Sequence, residues 1–265
     1  MNNGLTAKRN VLIMAGTHDA ARIIKKLKEC GIFNILATTT TSYGAEIAKS
    51  YGADETLSGP LDENNLNDLI KEKEIDVLID ATHPFAVIAT KNAIKASEIA
   101  GIGYIRFERP KEVEIENINI HKVSSFNEAS SKILEIAGSE CNILHLAGVS
   151  TLPGIVKNID VNRIFVRVLP SIDSIQKCLD LGLKQENIIA MQGTFSKDLN
   201  KYIMKDYNIS IILTKESGET GGTSSKINAA HELGIPIVIV LRPEVLELKN
   251  KTVFYNVDDL YNFLC

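Results

Sequence analysis

One heptapeptide combines a carboxylate, a hydroxyl and an imidazole, the groups that proton transfer requires. Residues 80–86 read DATHPFA, directly after a short apolar run and before an amphipathic stretch. His83 can exchange a proton near neutral pH, and Asp80 is close enough in sequence to orient it or to stabilise its charge. We therefore predict that His83 and Asp80 are catalytic, in proton transfer or in carboxylate binding. The alternative is that His83 only caps the following helix.

A second turn has phosphate-binding chemistry. Residues 16–20 read GTHDA and are predicted to join the first strand to the first helix. Gly16 permits a tight turn, Thr17 adds a hydroxyl, and the N–H groups at a helix start attract phosphate. Gly16, Thr17 and His18 are therefore predicted to bind a nucleotide cofactor. Because the full glycine-rich fingerprint of dinucleotide-binding folds is absent, an ordinary capped turn is the alternative.

Hydroxyl side chains follow the second predicted strand. Residues 38–42 read TTTTS, at the place where dinucleotide folds face the adenosine ribose. Thr38 and Thr39, together with Thr82, are predicted to contact the cofactor. An acidic residue here would favour NAD and an arginine its 2′-phosphorylated form. The segment has neither, so the sequence leaves that choice open, and a plain polar loop is the alternative.

The segment 215–226, KESGETGGTSSK, combines glycines, hydroxyls and two lysines between a predicted strand and a predicted helix. Backbone N–H groups of such loops can hold an anion, and long loops inside α/β units tend to be functional. A flexible surface loop is the alternative. Arginines at other strand ends, such as Arg167, could bind a carboxylate with two hydrogen bonds. The predicted substrate-binding or anion-binding residues are Arg109, Gly193, Lys215, Ser217, Gly221, Gly222 and Lys226.

Short apolar runs alternate with amphipathic stretches along the whole chain, which is typical of parallel sheets with flanking helices. The predicted fold class is α/β, with two Rossmann-like domains, each a mostly parallel sheet, and a cleft between them. Residues 1–112 are predicted to form the N-terminal domain and 113–265 the C-terminal domain, and the placement of 243–265 is left open. The predicted strands are 11–15, 34–38, 54–57, 76–80, 103–107, 142–146, 163–168, 187–190, 210–214 and 235–241, and the predicted helices are 22–30, 43–51, 62–73, 84–100, 126–137, 171–181, 196–206 and 223–233.

Composition excludes several classes of protein. The chain has 265 residues, of which 45% are hydrophobic and 23% are charged, as in an ordinary globular protein. A net charge of −4 without a basic run argues against a nucleic-acid or membrane surface. The four cysteines are far apart in sequence, so we predict free thiols, no metal site and a cytoplasmic location.

Taken together, the loops resemble those of the precorrin-6A reductase family, in its cobalt-dependent and cobalt-independent branches. The resemblance runs from about residue 11 to residue 243, and its most specific element is the heptapeptide 80–86. Two segments depart from the family pattern and change the wall of the expected pocket: Gly193-Thr194-Phe195 replaces Gly-Pro-Phe, and Leu146-Ala147-Gly148 replaces a Thr-Thr-Gly turn. The supporting elements are Gly16-Thr17 with Asp19-Ala20, Arg106 with Glu108-Arg109-Pro110, Thr214-Lys215 with Ser217-Gly218, Gly221-Gly222, Lys226, Ala229-Ala230, Leu233-Gly234 with Pro236, and Arg242-Pro243.

The resemblance implies a reaction and its partners. NADH or NADPH and a corrin-precursor tetrapyrrole would meet in the cleft, and one macrocycle double bond of precorrin-6A or cobalt-precorrin-6A would be reduced to give the 6B form. His83, or a water that it holds, would supply or steer the proton, with Asp80 tuning it. A monomer or small homo-oligomer is expected. The alternative from another class is a two-domain sensor that binds a nucleotide or an anion and catalyses nothing.

Overall fold

Two compact units make up the chain. The computed structural model describes residues 8–110, 119–138, 140–218 and 222–265. Unit 1 comprises Met1–Pro110 and Pro243–Cys265, and unit 2 comprises Lys111–Arg242. Each contains one six-stranded sheet with flanking helices, and the strand pairs described are parallel. The predicted fold class of two mostly parallel α/β sheets is therefore confirmed.

Unit 1 has the strand order of a doubly wound dinucleotide-binding fold, β3-β2-β1-β4-β5-β12. Its first strand is buried on both faces, because Val11 and Ile13 join one apolar cluster while Leu12 and Met14 join another. The elements of unit 1 are β1 (Arg9–Met14), α1 (His18–Cys30), β2 (Phe33–Thr39), α2 (Ser42–Ser50), β3 (Glu55–Ser58), α3 (Glu63–Glu72), β4 (Val77–Asp80), α4 (Val87–Ala100), β5 (Gly103–Phe107), β12 (Thr252–Phe254) and α10 (Val257–Leu264).

Unit 2 repeats this arrangement in the order β9-β8-β7-β10-β11-β6. Its central strands β7 and β10 pair in parallel, with Leu144 opposite Ile212, and both side chains are fully buried. The elements of unit 2 are β6 (Ile120–Val123), α5 (Phe126–Ala137), β7 (Asn142–His145), α6 (Leu152–Ile155), β8 (Ile164–Val168), α7 (Ile172–Asp180), β9 (Ile188–Ala190), α8 (Lys197–Asp206), β10 (Ile209–Lys215), α9 (Thr223–Leu233) and β11 (Ile237–Val240).

One edge strand, β12, comes from outside the main segment of its unit. Unit 2 is one continuous segment, and its edge strand β6 is the first strand of that segment and pairs with β11. In contrast, β12 follows the strands of unit 2, yet it pairs with β5 in unit 1. The helix after β12 completes the core of unit 1, where Val257, Leu260 and Leu264 are buried. The C-terminal segment of the chain therefore completes the sheet of unit 1.

The sequence prediction grouped residues 243–265 with the second domain and left their placement open; in the structure they belong to unit 1. The sequence prediction also missed β6, because a four-residue strand in mixed polar sequence carries little periodicity. The helix predicted from residue 84 begins at Val87, because Ala86 N–H donates to the His83 carbonyl and closes a turn before it.

The cysteine prediction was wrong for one pair. Cys30 and Cys265 form a disulfide with their Cα atoms 6.5 Å apart. The pair meets because α10 packs against α1, which brings the ends of these two helices together. Cys141 and Cys178 are free thiols, as predicted.

No helix within the described ranges is both long and apolar enough to cross a bilayer.

His145 is a buried titratable group at the carboxyl end of β7. It is 0% exposed, its Nε2 lies 3.0 Å from the Thr151 hydroxyl, and Nδ1 has no hydrogen-bond partner among the described residues. Burial lowers the pKa of His145 to about 3. The side chain is therefore uncharged in the folded protein at neutral pH.

This burial predicts a pH dependence of stability. Below its unfolded pKa of about 6.5, the unfolded chain binds a proton at His145 that the folded chain does not, so stability falls as the pH falls. For one proton the slope reaches about 1.4 kcal/mol per pH unit. Urea unfolding between pH 7 and 4.5 should show a shallower slope for His145→Gln than for the wild type. His121→Gln, which removes a partly exposed histidine, is the control, and parallel slopes for all three proteins would contradict the prediction.

Candidate active site

The turn between β1 and α1 combines an open glycine with a capped helix start. Gly16 has φ +97°, and a Cβ placed there would meet no atom within 4 Å. Thr17 caps α1, because its hydroxyl accepts the Ala20 N–H at 3.1 Å. The same hydroxyl donates to the Ala81 carbonyl at 2.8 Å, which ties the turn to the end of β4. Because the strand order reverses between β1 and β4, the turn lies at the switch point where dinucleotide folds bind their ligand.

The double role of Thr17 can be tested by Thr17→Val. The variant keeps the shape of the side chain but loses both hydrogen bonds, so we expect a loss of about 1 kcal/mol in unfolding free energy and a higher KM for the nucleotide cofactor. Asp62→Ala is the matched control, because Asp62 caps α3 through Asn65 N–H at 2.8 Å. It should lose similar stability and keep the KM. Equal KM values for both variants would remove Thr17 from the cofactor site.

Thr38 and Thr39 lie elsewhere than expected. The second strand continues to Thr39, and both side chains are buried within the sheet. Thr39 donates its hydroxyl to the Thr41 carbonyl at 2.8 Å. The exposed hydroxyls at this strand end belong instead to Thr40, Thr41 and Ser42. This placement argues against direct contact of Thr38 or Thr39 with a cofactor and moves the candidate contact to Thr40. His18, the first residue of α1, is exposed beside the turn.

Asp80 and Arg106 form the centre of a buried polar network. The two residues pair in register on β4 and β5, and they are 0% and 2% exposed. Arg106 Nη1 lies 2.8 Å from Asp80 Oδ1, and Nη2 lies 2.8 Å from Glu108 Oε2. Tyr104, two residues before Arg106 on the same side of β5, donates its hydroxyl to Asp80 Oδ2 at 3.0 Å. The carboxylate and the guanidinium therefore neutralise each other inside the protein.

The network also controls the protonation of Tyr104 and the position of Thr82. Burial, followed by the neighbouring Asp80 carboxylate, raises the pKa of Tyr104 far above its ordinary range, so its hydroxyl stays a donor. Thr82 donates to Asp80 Oδ1 at 2.6 Å and accepts from Arg106 Nη1 at 3.0 Å. The Thr82 hydroxyl, predicted to contact the cofactor, is thus used in anchoring its own loop.

His83 follows this anchored residue and is half-buried. Its Nδ1 accepts the Phe85 N–H at 3.2 Å, and the two rings lie 5.7 Å apart. The N-cap of α4 is Ala86, which makes no side-chain cap, so His83 does not cap that helix. The hydrogen bonds that the structure describes for Asp80 go to Thr82, Tyr104 and Arg106 rather than to His83. The contact that the structure shows between Asp80 and the loop of His83 runs through Thr82.

Arg109, a predicted anion-binding residue, pairs with the buried Asp19 of α1. This ion pair joins the segment after β5 to the first helix, beside the Gly16–Thr17 turn. Arg109 thus already pairs with a carboxylate of the protein itself. Its predicted contact with a substrate carboxylate would require the guanidinium to bind both carboxylates.

In unit 2, several predicted anion-binding residues meet at the start of α9. The Ser217 and Thr223 hydroxyls lie 3.3 Å apart, and both residues, like Lys226, are buried. Gly222 has φ +68° and begins α9 without a side-chain cap. A Cβ at Gly222 would lie 3.6 Å from Thr194, so the turn containing Gly193 packs against this helix start. Lys215 ends β10 at the same edge of the sheet, whereas Gly221 lies outside the described residues.

Sequence reasoning missed Tyr104, which holds Asp80 in place. Tyr104 could have been found, because it lies two residues before Arg106 on a strand and so shares its face. Asp19 was noted only as part of the resemblance, and its pairing with Arg109 carries no sequence signal, since the two residues are distant in sequence.

Comparison with known proteins gives a consistent result. The model of the family described as precorrin-6x reductase CbiJ/CobK matches residues 10–264. A cobalt-precorrin-6A reductase of Methanothermobacter thermautotrophicus is 45% identical over 253 residues, 96% of this chain and 82% of that protein. The one from Methanocaldococcus jannaschii is 40% identical over 255 residues, 96% and 98% of the two chains. A solved structure of CobK precorrin-6A reductase has a TM-score of 0.78 at 19% identity, covering 97% and 96%. That likeness concerns the fold.

Proposed function

The chain belongs to the precorrin-6x reductase CbiJ/CobK family, and on this premise we propose that it reduces cobalt-precorrin-6A with hydride from a nicotinamide dinucleotide. It is an oxidoreductase of cobalamin biosynthesis that acts on a CH–CH group. The family and the reaction class predicted from the loops are thereby confirmed. The form of the substrate, the cofactor and the residues that bind them are the matter of the proposal.

The names of the two similar relatives favour the cobalt-containing ring. Both are cobalt-precorrin-6A reductases, they are 45% and 40% identical to this chain, and each match covers 96% of it. At such identity over nearly the whole chain, we infer that the same ring is the substrate here.

The turn between β1 and α1 is the observation that carries the choice of cofactor site. An open Gly16 with positive φ, a helix capped by Thr17 and the reversal of strand order at this point fit a dinucleotide phosphate. The exposed side chains after β2 are the hydroxyls of Thr40, Thr41 and Ser42, and none of them is a carboxylate or a guanidinium. These side chains therefore favour neither NADH nor NADPH.

We assign the ring to the polar groups of unit 2. A corrin precursor is a large, partly apolar ring fringed with carboxylates, and it needs local positive charge in a protein whose net charge is −4. Lys215 and Lys226, with the hydroxyls of Ser217 and Thr223 and the uncapped start of α9, supply donors of that kind.

Reduction of a carbon–carbon double bond needs a hydride and a proton. A bound reduced nicotinamide supplies the hydride from its C4 atom. We assign the proton to His83, which is half-buried on the anchored loop: its imidazolium form gives one proton, directly or through a water, and is left as the neutral imidazole. The network of Asp80 and Arg106 holds Thr82, and with it the position of His83. Positioning of this kind is the main contribution of a protein to hydride transfer.

The function is tested by an anaerobic assay. Purified protein is mixed with cobalt-precorrin-6A or with metal-free precorrin-6A, and loss of the reduced nicotinamide absorbance is followed with NADH and with NADPH. We expect turnover with the cobalt ring, and the faster nucleotide identifies the cofactor. Faster turnover of the metal-free ring would overturn the proposed substrate, and no loss with either ring would overturn the reductase proposal as a whole.

A further inference from the structure

Arg167 differs from Arg106, Arg109 and Arg242, each of which lies beside a carboxylate. It lies on β8, one residue before the strand ends, and is half-buried. Within the part of the chain that the structure describes, the polar and ring contacts of its guanidinium are one amide oxygen and one aromatic ring. No carboxylate among the described residues therefore pairs with its positive charge.

The guanidinium is nevertheless held in place. Arg167 Nη1 donates to Asn200 Oδ1 at 2.8 Å, and its guanidinium carbon lies 4.5 Å from the centre of the Phe195 ring. Asn200 is itself fixed, because its amide donates to the Ser196 carbonyl at 2.8 Å. One face and one nitrogen are thus engaged, while a guanidinium has five N–H donors in all. Such a preorganised fork is suited to a planar oxyanion.

The surroundings point to a ligand rather than to a structural role. Burial lowers the pKa of Arg167 to about 10, so it remains charged at neutral pH in surroundings that disfavour the charge. An oxyanion would offset that cost. Directly after β8, Leu169 and Ile172 are 55% and 88% exposed, so apolar side chains face solvent just beyond the strand end. A Cβ placed at Gly193, a predicted anion-binding residue, would lie 3.8 Å from the same Phe195 ring.

We propose that Arg167 binds an oxyanion of one of the two reaction ligands, either a carboxylate of the macrocycle or a phosphate of the nicotinamide cofactor, with Asn200 and Phe195 as positioning residues. The proposal rests on the reductase function and deepens it. Besides the predicted anion-binding loop, the proposal assigns a binding role to one side chain on a different strand. This side chain is a guanidinium, so its ligand must carry an anionic group.

The test uses Arg167→Gln and Arg167→Lys in the anaerobic assay with the full-length protein. For each variant, KM is measured for cobalt-precorrin-6A and for the reduced nicotinamide, with the other ligand saturating. We expect one of the two KM values to rise about 10-fold or more in Arg167→Gln, the size of a lost charge-assisted hydrogen bond. We expect a smaller rise in Arg167→Lys and a kcat near that of the wild type. The ligand whose KM rises identifies the source of the oxyanion.

Lys177→Gln is the charge control, because it removes one positive charge from an exposed i,i+4 pair with Asp173 in the same unit. If the wild type turns over and both KM values of Arg167→Gln stay within about twofold of it, the proposal is wrong. Equilibrium binding of each ligand is measured in parallel. If the wild type binds both ligands but does not turn over, the reductase function is wrong. If, in addition, the Arg167 variants bind both ligands with wild-type affinity, the oxyanion site is wrong as well. Should Arg167→Gln fail to fold, Arg167→Lys keeps both readouts.

Discussion

The His83→Ala variant is expected to lose about 100-fold in kcat while it binds both ligands with nearly unchanged affinity. Positioned proton transfer contributes about 10²- to 10⁴-fold to a rate, and the lower end applies where water can replace the lost group. His83 is half-buried, so water can reach the space that the ring leaves. The measurement is kcat and KM for the ring and for the cofactor across a range of pH. One limb of the wild-type pH profile should be absent in the variant.

Two further variants separate proton transfer from simple hydrogen bonding. His83→Gln keeps an N–H donor of similar reach but does not titrate, so it should be nearly as slow as His83→Ala. His231→Ala removes an exposed histidine in the last turn of α9 and should behave as the wild type. Wild-type turnover and an unaltered pH profile in His83→Ala would exclude the proton role.

Replacing Arg106 by methionine is expected to lower the unfolding free energy by about 3–5 kcal/mol, because it leaves a buried carboxylate without its partner. Asp80 is 0% exposed, and its remaining donors are Thr82 and Tyr104. The two units need not unfold together, so urea unfolding should be followed by both far-UV circular dichroism and tyrosine fluorescence. We expect the loss in the transition that reports unit 1.

A double variant tests the origin of this loss. Asp80→Asn combined with Arg106→Met removes both charges, and it should lose less than the sum of the two single variants. Lys28→Gln is the control, because it breaks the exposed pair with Asp54 and should cost no more than about 1 kcal/mol. A loss below about 1 kcal/mol in Arg106→Met would show that the network is not what holds the loop of His83.

Most elements could be predicted because each carries its own signal. The helix predicted at residues 62–73 is α3, and the structure shows the Asp62 carboxylate accepting the Asn65 N–H at its start. The placement of residues 243–265 could not be predicted. A three-residue strand such as β12 has no local preference for one sheet, and only pairing with β5 decides its place. Information of that kind is contained in long-range contacts rather than in periodicity.

The positions of the candidate site could be predicted from the sequence, but the side-chain contacts within it could not. Residues after parallel strands meet at one edge of a sheet, so the turn at Gly16 and the loop at His83 could be located from their place in the sequence. The hydrogen-bond and ion-pair partners of their side chains could not be predicted in this way. Asp80 was paired with His83 because the two are near in sequence, whereas the register of β4 with β5 places it opposite Arg106. Thr38 and Thr39 were placed in a loop because the end of a strand is hard to locate from sequence.

The late position of β12 in the chain determines the order in which the nascent protein can be completed on the ribosome. All six strands of unit 2 have been synthesised by residue 240, whereas the sheet of unit 1 still lacks Thr252–Phe254. Until those residues emerge, the outer edge of β5 has no neighbour, and the apolar surface of α1 that α10 later covers stays exposed to water. Bare strand edges are templates for pairing with other chains. The part of unit 1 that is made first is therefore completed last, and we expect it to be the part most exposed to wrong pairing during translation.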